Sequence, residues 1–422
     1  MVSYPFPVNL MPRRMRQTAA SGLAFLAVSA LAQPAVSIPT LKQALDAAWQ
    51  AGSQSRSLDN RRSELAAREK AASSWISGEP VAGIAHRTDR LNKNEGFREY
   101  EAEVELPLWN PGVRNAAQAD VSARRIGFDG QFQLAKLKLA GELRTLSASI
   151  ATAQVELDLN KRKLLDANAL TQDLSRRVKA GENARVDGLQ SQMLEQLAQA
   201  AIALAESQLS RYQSQWRSLT GISTVSPPDE LLASSLSGQS DAAPLPADHP
   251  ALRSAQAQVG SAQAKLALAN ADKRDPMSVG LGVARERANF AGANETKLRI
   301  ALRIPLGGDN RNATRQAAAR AELDTAQADL DAAQRQLPFE IAAANADLRA
   351  ARSAQSAARE RVRLSTEVQT LVTKSWRLGE SDLPTRLRAD NEQFEASLSF
   401  AKASIDVQRA IANLNQAHGI LP

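Results

Sequence analysis

The chain has no cysteine among its 422 residues, few aromatics (4%) and only three histidines, His86, His249 and His418. Without cysteine there are no disulfide staples, thiolate metal sites, cysteine nucleophiles or lipid anchors on an N-terminal cysteine. The histidines are far apart in sequence and lack H-E-x-x-H spacing, and no phosphate-binding glycine loop is present. No catalytic residue, cofactor or metal ligand is therefore assigned, and the chain reads as a non-enzyme. Charge of one sign is not concentrated either. The formal net charge is +7 with 23% charged residues mixed along the chain, which excludes the basic patch with aromatics that nucleic-acid binding needs. Beyond the N-terminus no apolar run approaches the roughly 20 residues of a spanning helix. If this chain crosses a membrane, it crosses as strands.

The chain does contain a duplication. Leu106-Pro107-Leu108 matches Ile304-Pro305-Leu306, Gly181-Glu182 matches Gly379-Glu380, and Gly221-Ile222 matches Gly419-Ile420, all at an offset of 198 residues. These landmarks are turn and terminus signals, where backbone geometry limits residue choice, and a long internal repeat decides architecture before local motifs do. Each unit reads as a β-hairpin followed by a very long helix. Residues 1–32 read as a signal peptide: Arg13, Arg14 and Arg16 form the positive region, Ser21 to Leu31 the apolar core, and Ala30-Leu31-Ala32 the cleavage site. The first repeat is expected over 33–222, with a hairpin at about 80–108, a long helix at about 112–180 and a helix at about 184–220. A Ser/Pro-rich connector takes 223–247. The second repeat takes 248–422, with a hairpin at about 277–305 and helices at about 310–378 and 382–418.

The hairpins are the most chemically informative part. In one strand Glu99, Glu101, Glu103 and Glu105 alternate with Tyr100, Ala102, Val104 and Leu106, so one face is acidic and the other apolar. In the second repeat Leu298, Ile300, Leu302 and Ile304 lie opposite Lys297, Arg299 and Arg303. Four such strands suit a transmembrane β-barrel whose apolar face meets lipid, which turns the carboxylates into a lumen. Lys297, Arg299 and Arg303 are expected to neutralise the glutamates across strands, and His86 is a candidate lumen residue. Phe97, Tyr100, Trp109 and Phe290 flank the strands as candidates for the membrane interface. Four strands cannot close a barrel, since the smallest bacterial ones have about eight. Open edges are not tolerated in lipid, so several copies must pool their strands. In the helices, Leu139, Leu143, Leu146, Ile150, Ala153 and Leu157 form a coiled-coil seam, repeated by Leu323, Ala326, Leu330, Ala333 and Leu337. Pro338 is expected to kink the second long helix.

The order and equal spacing of Leu41 to Ala48, Leu106 to Gly112, Arg177 to Asp187, Asp248 to Leu252 and Trp376 to Leu383 resemble the TolC-like outer membrane factors over about residues 38–420. Leu106-Pro107-Leu108-Trp109-Asn110-Pro111-Gly112 looks most like the branch paired with heavy-metal exporters of the resistance-nodulation-division class. The resemblance implies a mainly α fold: an α-barrel tunnel of coiled-coil helices in the periplasm, plus four strands per protomer in a shared 12-stranded outer-membrane β-barrel. It implies a homotrimer seated in outer-membrane lipid and serving as exit duct for an inner-membrane pump through a periplasmic adaptor, metal cations being one candidate cargo. The tips at Gly181, Glu182, Gly379 and Glu380 would contact the adaptor. The family places acidic residues just past the tips as a constriction. Asp187 keeps that pattern, whereas Thr385 and Arg388 depart from it and suggest a basic ring paired with Asp187 of a neighbouring helix. The competing classes are a periplasmic adaptor and a structural coiled-coil envelope protein, neither of which accounts for the duplication.

Overall fold

The computed structural model describes residues 39–233, 248–306 and 309–422. The expected signal peptide and residues 234–247 of the expected connector lie outside them. In chain order the elements are α1 (Leu41–Ala51), α2 (Ser53–Ser73), β1 (Val81–Thr88), β2 (Arg98–Leu108), α3 (Val113–Ala180), α4 (Arg185–Thr220), α5 (Pro250–Ala271), β3 (Met277–Arg287), β4 (Glu295–Arg303), α6 (Asp309–Arg377) and α7 (Leu383–Ala417). Thr40 starts α1 with a reciprocal capping box to Gln43. Gly52 ends α1 and begins α2.

The strands form one antiparallel sheet in the order β1-β2-β3-β4. The two hairpins, far apart in sequence, are joined side by side through β2 and β3, with Glu101 opposite Ala284 and Glu105 opposite Gly280. All four helix connections leave from the end marked by Val81, Leu108, Met277 and Arg303, and the hairpin loops occupy the other end. The Trp-Asn-Pro-Gly motif makes the corner from strand to helix. Trp109 Nε1 donates to the Ser74 carbonyl at 2.9 Å, and Asn110 Nδ2 donates to the Arg274 and Asp275 carbonyls at 3.0 and 3.1 Å. Gly112 then opens α3 in the left-handed region at φ 82°.

At 68 residues, α3 is about 100 Å long. Its leucine seam is the core: Leu143, Ile150, Ala153 and Leu157 are buried with Ala44, Leu45 and Ala48 of α1 and Ala205, Leu209 and Trp216 of α4, while Leu139 and Leu146 pack at the margin. In α6, Ala326 and Leu337 of the corresponding stripe are buried. Helix α6 continues through Pro338, which forfeits a backbone hydrogen bond without ending the helix. Helix α6 packs on both α5 and α7. The glycine landmarks are helix ends. Gly181 and Gly379 sit at φ 79° and 78°, and each closes a Schellman cap: Gly181 N–H donates to Val178 and Glu182 N–H to Arg177, while Gly379 donates to Trp376 and Glu380 to Ser375. Side-chain space around both glycines is open, so backbone conformation alone demands them.

A buried arginine ties the two repeats together. Arg144 of α3 lies in the seam beside Leu143, with its side chain 1% exposed. Its Nε and Nη2 donate to both oxygens of Glu230 at 2.8 and 2.5 Å. Nη1 donates to Gln416 at 2.5 Å, and Nη2 also reaches the Ile420 carbonyl at 3.0 Å. Around it the first part of the expected connector lies as a strap: Ser147 donates to the Ser226 carbonyl, and Asn415 of α7 bonds Leu231 and Ala233. Breaking a buried pair leaves an uncompensated charge, so Arg144→Ala should cost about 3 kcal/mol. Arg144→Met/Glu230→Gln should recover much of that loss, because it removes both charges. Thermal unfolding followed at the helical circular dichroism band checks both outcomes.

Candidate functional site

The sheet is turned inside out relative to a soluble one. On one face Ile84, Leu298 and Ile300 are 91%, 74% and 71% exposed. On the other face the side chains of Glu99, Glu101 and Glu103 are only 15%, 14% and 18% exposed. Strand alternation places Tyr100, Val104, Leu281, Val283, Leu298, Ile300 and Leu302 together, and among the described residues no element covers them. A contiguous apolar surface of this kind marks an interaction with lipid or with a partner.

Every glutamate of the ladder has a partner on the polar face. Glu99 binds Arg87 of β1 at 3.3 Å, Glu101 binds Arg299 at 2.7 Å, and Glu103 binds Arg303 at 3.2 Å. Glu105 is held by Arg303 and the Ser278 hydroxyl. Glu101, Glu103 and Glu105 stand on β2 and their arginines on β4, so these pairs reach over β3. They can do so because at those levels β3 presents the small Ser278, Gly280, Gly282 and Ala284 to that face. A Cβ on Gly280 would lie 2.6 Å from the Glu103 carboxylate. Lys297 departs from the expectation. It pairs with Glu286 and Glu295 near the loop end, because those carboxylates are nearer than Glu99. Six carboxylates thus meet four cations on this face, a surplus of negative charge.

His86 does not face the glutamates. Its register partner is Tyr100, with the two rings stacked 4.4 Å apart on the apolar face. The other histidines, distant in sequence, come together where α5 begins and α7 ends. Buried His249 caps α5 by accepting the Ala251 N–H at 3.1 Å. Its pKa is lowered chiefly by burial and also by His418, against an opposing pull from Glu340. No group of three metal-binding side chains occurs among the described residues.

At the tips, Gly181, Glu182, Gly379 and Glu380 are exposed. Asp187 accepts from Asn183 Nδ2 at 3.0 Å. Asp382 caps α7 by accepting the Thr385 N–H at 3.0 Å, and its carboxyl is held below the ordinary range by hydrogen bonds from Thr385. Arg388 is exposed one turn further on, and its charge acts on Asp382. Trp376 entered the sequence reading as the start of a family landmark, without a packing role. It packs with Leu170, Leu174 and Leu383 to seal the ends of α3, α6 and α7, with the Arg177 and Arg386 guanidinium carbons 5.6 and 5.9 Å from its ring. Its counterpart 198 residues earlier is Val178, and that break in the repeat was the available signal. Just above, burial and the nearby Asp390 carboxylate raise the pKa of Asp166, while Gln369 donates to Asp390 at 2.9 Å.

Comparison with known proteins gives this geometry a setting. No curated protein matches the chain by sequence. Residues 245–420 match the family model of the outer membrane efflux protein. Among solved structures, a membrane protein from Pseudomonas aeruginosa is similar with a TM-score of 0.71 at 18% identity, over 90% of each chain. The outer membrane protein VceC from Vibrio cholerae gives 0.69 at 15% identity, over 90% of this chain and 96% of its own. The MtrE outer membrane channel of Neisseria gonorrhoeae, solved in its open state, gives 0.67 at 17% identity, over 90% of this chain and 89% of its own. The second repeat thus matches the outer membrane efflux protein family, and the fold of the chain is shared over nine-tenths of its length with solved outer membrane proteins.

Proposed function

We propose that three copies of this chain form the outer-membrane exit duct of a tripartite efflux system, passively conducting what an inner-membrane pump expels through a periplasmic adaptor. The observation that carries this reading is the four-stranded sheet with an exposed apolar face and two open edges, β1 and β4. In lipid each unpaired backbone group costs several kcal/mol, so β4 of one copy must pair with β1 of the next. An adaptor or a soluble coiled-coil protein would have to cover this apolar face with its own chain.

The helices support the same closure. Contacts run α4 on α3, α3 on α7 and α7 on α6, which leaves α4 and α6 at the two ends of the layer. Both carry exposed apolar stripes: Leu189, Met193 and Leu197 on α4, and Leu371, Val368 and Leu364 on α6. These stripes lie at matching distances from Gly181 and Gly379. They are complementary in position and belong to different faces of the chain, the condition for a ring.

On this reading Glu99, Glu101, Glu103, Glu105, Lys297, Arg299 and Arg303 line the lumen. The carboxylate surplus favours cationic cargo, hydrated metal cations included. Asp187, Thr385 and Arg388 form the periplasmic constriction, Arg388 of one copy meeting Asp187 of another. Gly181, Glu182, Gly379 and Glu380 are the adaptor contacts, supported by their exposure and their rigid caps.

Mass measurement in detergent combined with planar-bilayer recording tests the duct. Three chains and long-lived discrete conductance steps are expected, and a water-soluble species without conductance contradicts the reading. In a salt gradient the unaltered channel should show a modest cation preference. Arg303→Gln should increase that preference by unmasking Glu103 and Glu105, because charged rings in a pore set ion preference. Arg388→Ala should raise conductance by releasing the constriction, and an unchanged conductance would remove Arg388 from that role.

A further inference from the structure

The apolar face of the sheet does not remain apolar to its end. At the loop end Arg98 of β2 and Arg287 of β3 are direct cross-strand partners. Arg285, opposite Tyr100, shares their face two residues below Arg287. Like charges placed directly opposite destabilise a sheet. The strand carboxylates nearby do not relieve this repulsion, since Glu99, Glu286 and Glu295 alternate to the other face and pair there with Arg87 and Lys297. Arg287 is fixed from behind: its Nε donates to the Gly96 carbonyl at 3.3 Å and its guanidinium carbon lies 5.7 Å from the Phe290 ring. The Phe290 N–H in turn donates to the Glu95 carbonyl at 3.1 Å, so the two hairpin loops are joined beneath the arginines. Arg98 and Arg285 are exposed, and among the described residues no side-chain hydrogen bond or ion pair reaches their guanidinium groups.

Next to this cluster, on the same face, come the exposed Tyr100 with His86 stacked on it, then Val283, Val104 and Leu281. We infer that Arg98, Arg285 and Arg287 form a binding site for the phosphate of a phosphorylated lipid in the outer leaflet, whose acyl chains lie along the apolar residues below. A guanidinium fork matches phosphate oxygens in geometry and charge. An anion held by these arginines sits at the border of an apolar band, a position that an amphiphile's headgroup takes and an acidic peptide does not. The inference rests on the reading that the sheet spans the outer membrane with its loops outward.

The test uses the full oligomer purified in detergent, with native mass spectrometry of bound bis-phosphorylated lipid A, the same lipid with its phosphates removed, and inorganic phosphate as competitor. The variant is Arg98→Gln/Arg285→Gln, which leaves the loop-anchoring Arg287 in place. Heat-modifiable migration and bilayer insertion show whether it still folds. The phosphorylated lipid should bind the unaltered protein and weaken about fivefold per arginine removed. The dephosphorylated lipid should bind both proteins equally weakly, and inorganic phosphate should not displace the lipid. Equal retention of phosphorylated lipid A by the variant overturns the site. Displacement by inorganic phosphate overturns its assignment to lipid. Failure of the unaltered protein to insert into bilayers would instead overturn the duct reading on which the site depends.

Discussion

The rest of the molecule depends on the hydrogen-bonding groups along two free strand edges. Strand β1 has a neighbour only through β2, and β4 only through β3. In water such edges would be satisfied by solvent, whereas in lipid, which the exposed Ile84, Leu298 and Ile300 suit, they would not be. On the proposed reading the single chain is therefore incomplete. Closure by further copies would satisfy the backbone and turn the polar face inward. It would also bring α4 of one copy to α6 of the next, where each has an exposed apolar stripe.

The duplication contributes more than two similar halves. Glu101 and Arg299 occupy equivalent positions in the repeats, as do Glu105 and Arg303, and each pair is bonded across a separation of 198 residues. Equivalent sites have taken opposite charges, and the strand between them has small residues so the charges can meet. The polar face is thereby partly neutralised within each chain, which lets a row of carboxylates stand close together with reduced self-repulsion. Exposed pairs of this kind add little stability in water. Inside the proposed lumen their effect on the field would be larger.

Much of the fold was legible because its signals are local. Strand alternation at Glu99 to Leu106, the leucine seam from Leu139 to Leu157 and the glycines at Gly181 and Gly379 each express a short-range backbone or packing rule. What remained hidden depends on pairings between distant segments. The facing of His86 follows from its register against Tyr100, which periodicity on β1 alone does not determine. Arg144 resembles any helix charge until Glu230, Gln416 and Ile420 converge on it from far along the chain. Lys297 matches the glutamate ladder by repeat position, yet Glu286 and Glu295 lie nearer. Arg98 and Arg287 form a cluster only once β2 and β3 are paired.

That copies of this chain complete one another along α4 and α6 can be tested directly, because the absence of native cysteine leaves introduced thiols as the only ones. Leu197→Cys and Leu364→Cys would be placed together in one chain and oxidised in intact membranes, with each single variant beside it. Disulfide-linked products that end at three chains in the double variant, and are missing from both singles, are the result predicted here. No linkage in a folded, membrane-inserted double variant, or a ladder that runs on past three, would contradict a closed ring of three copies.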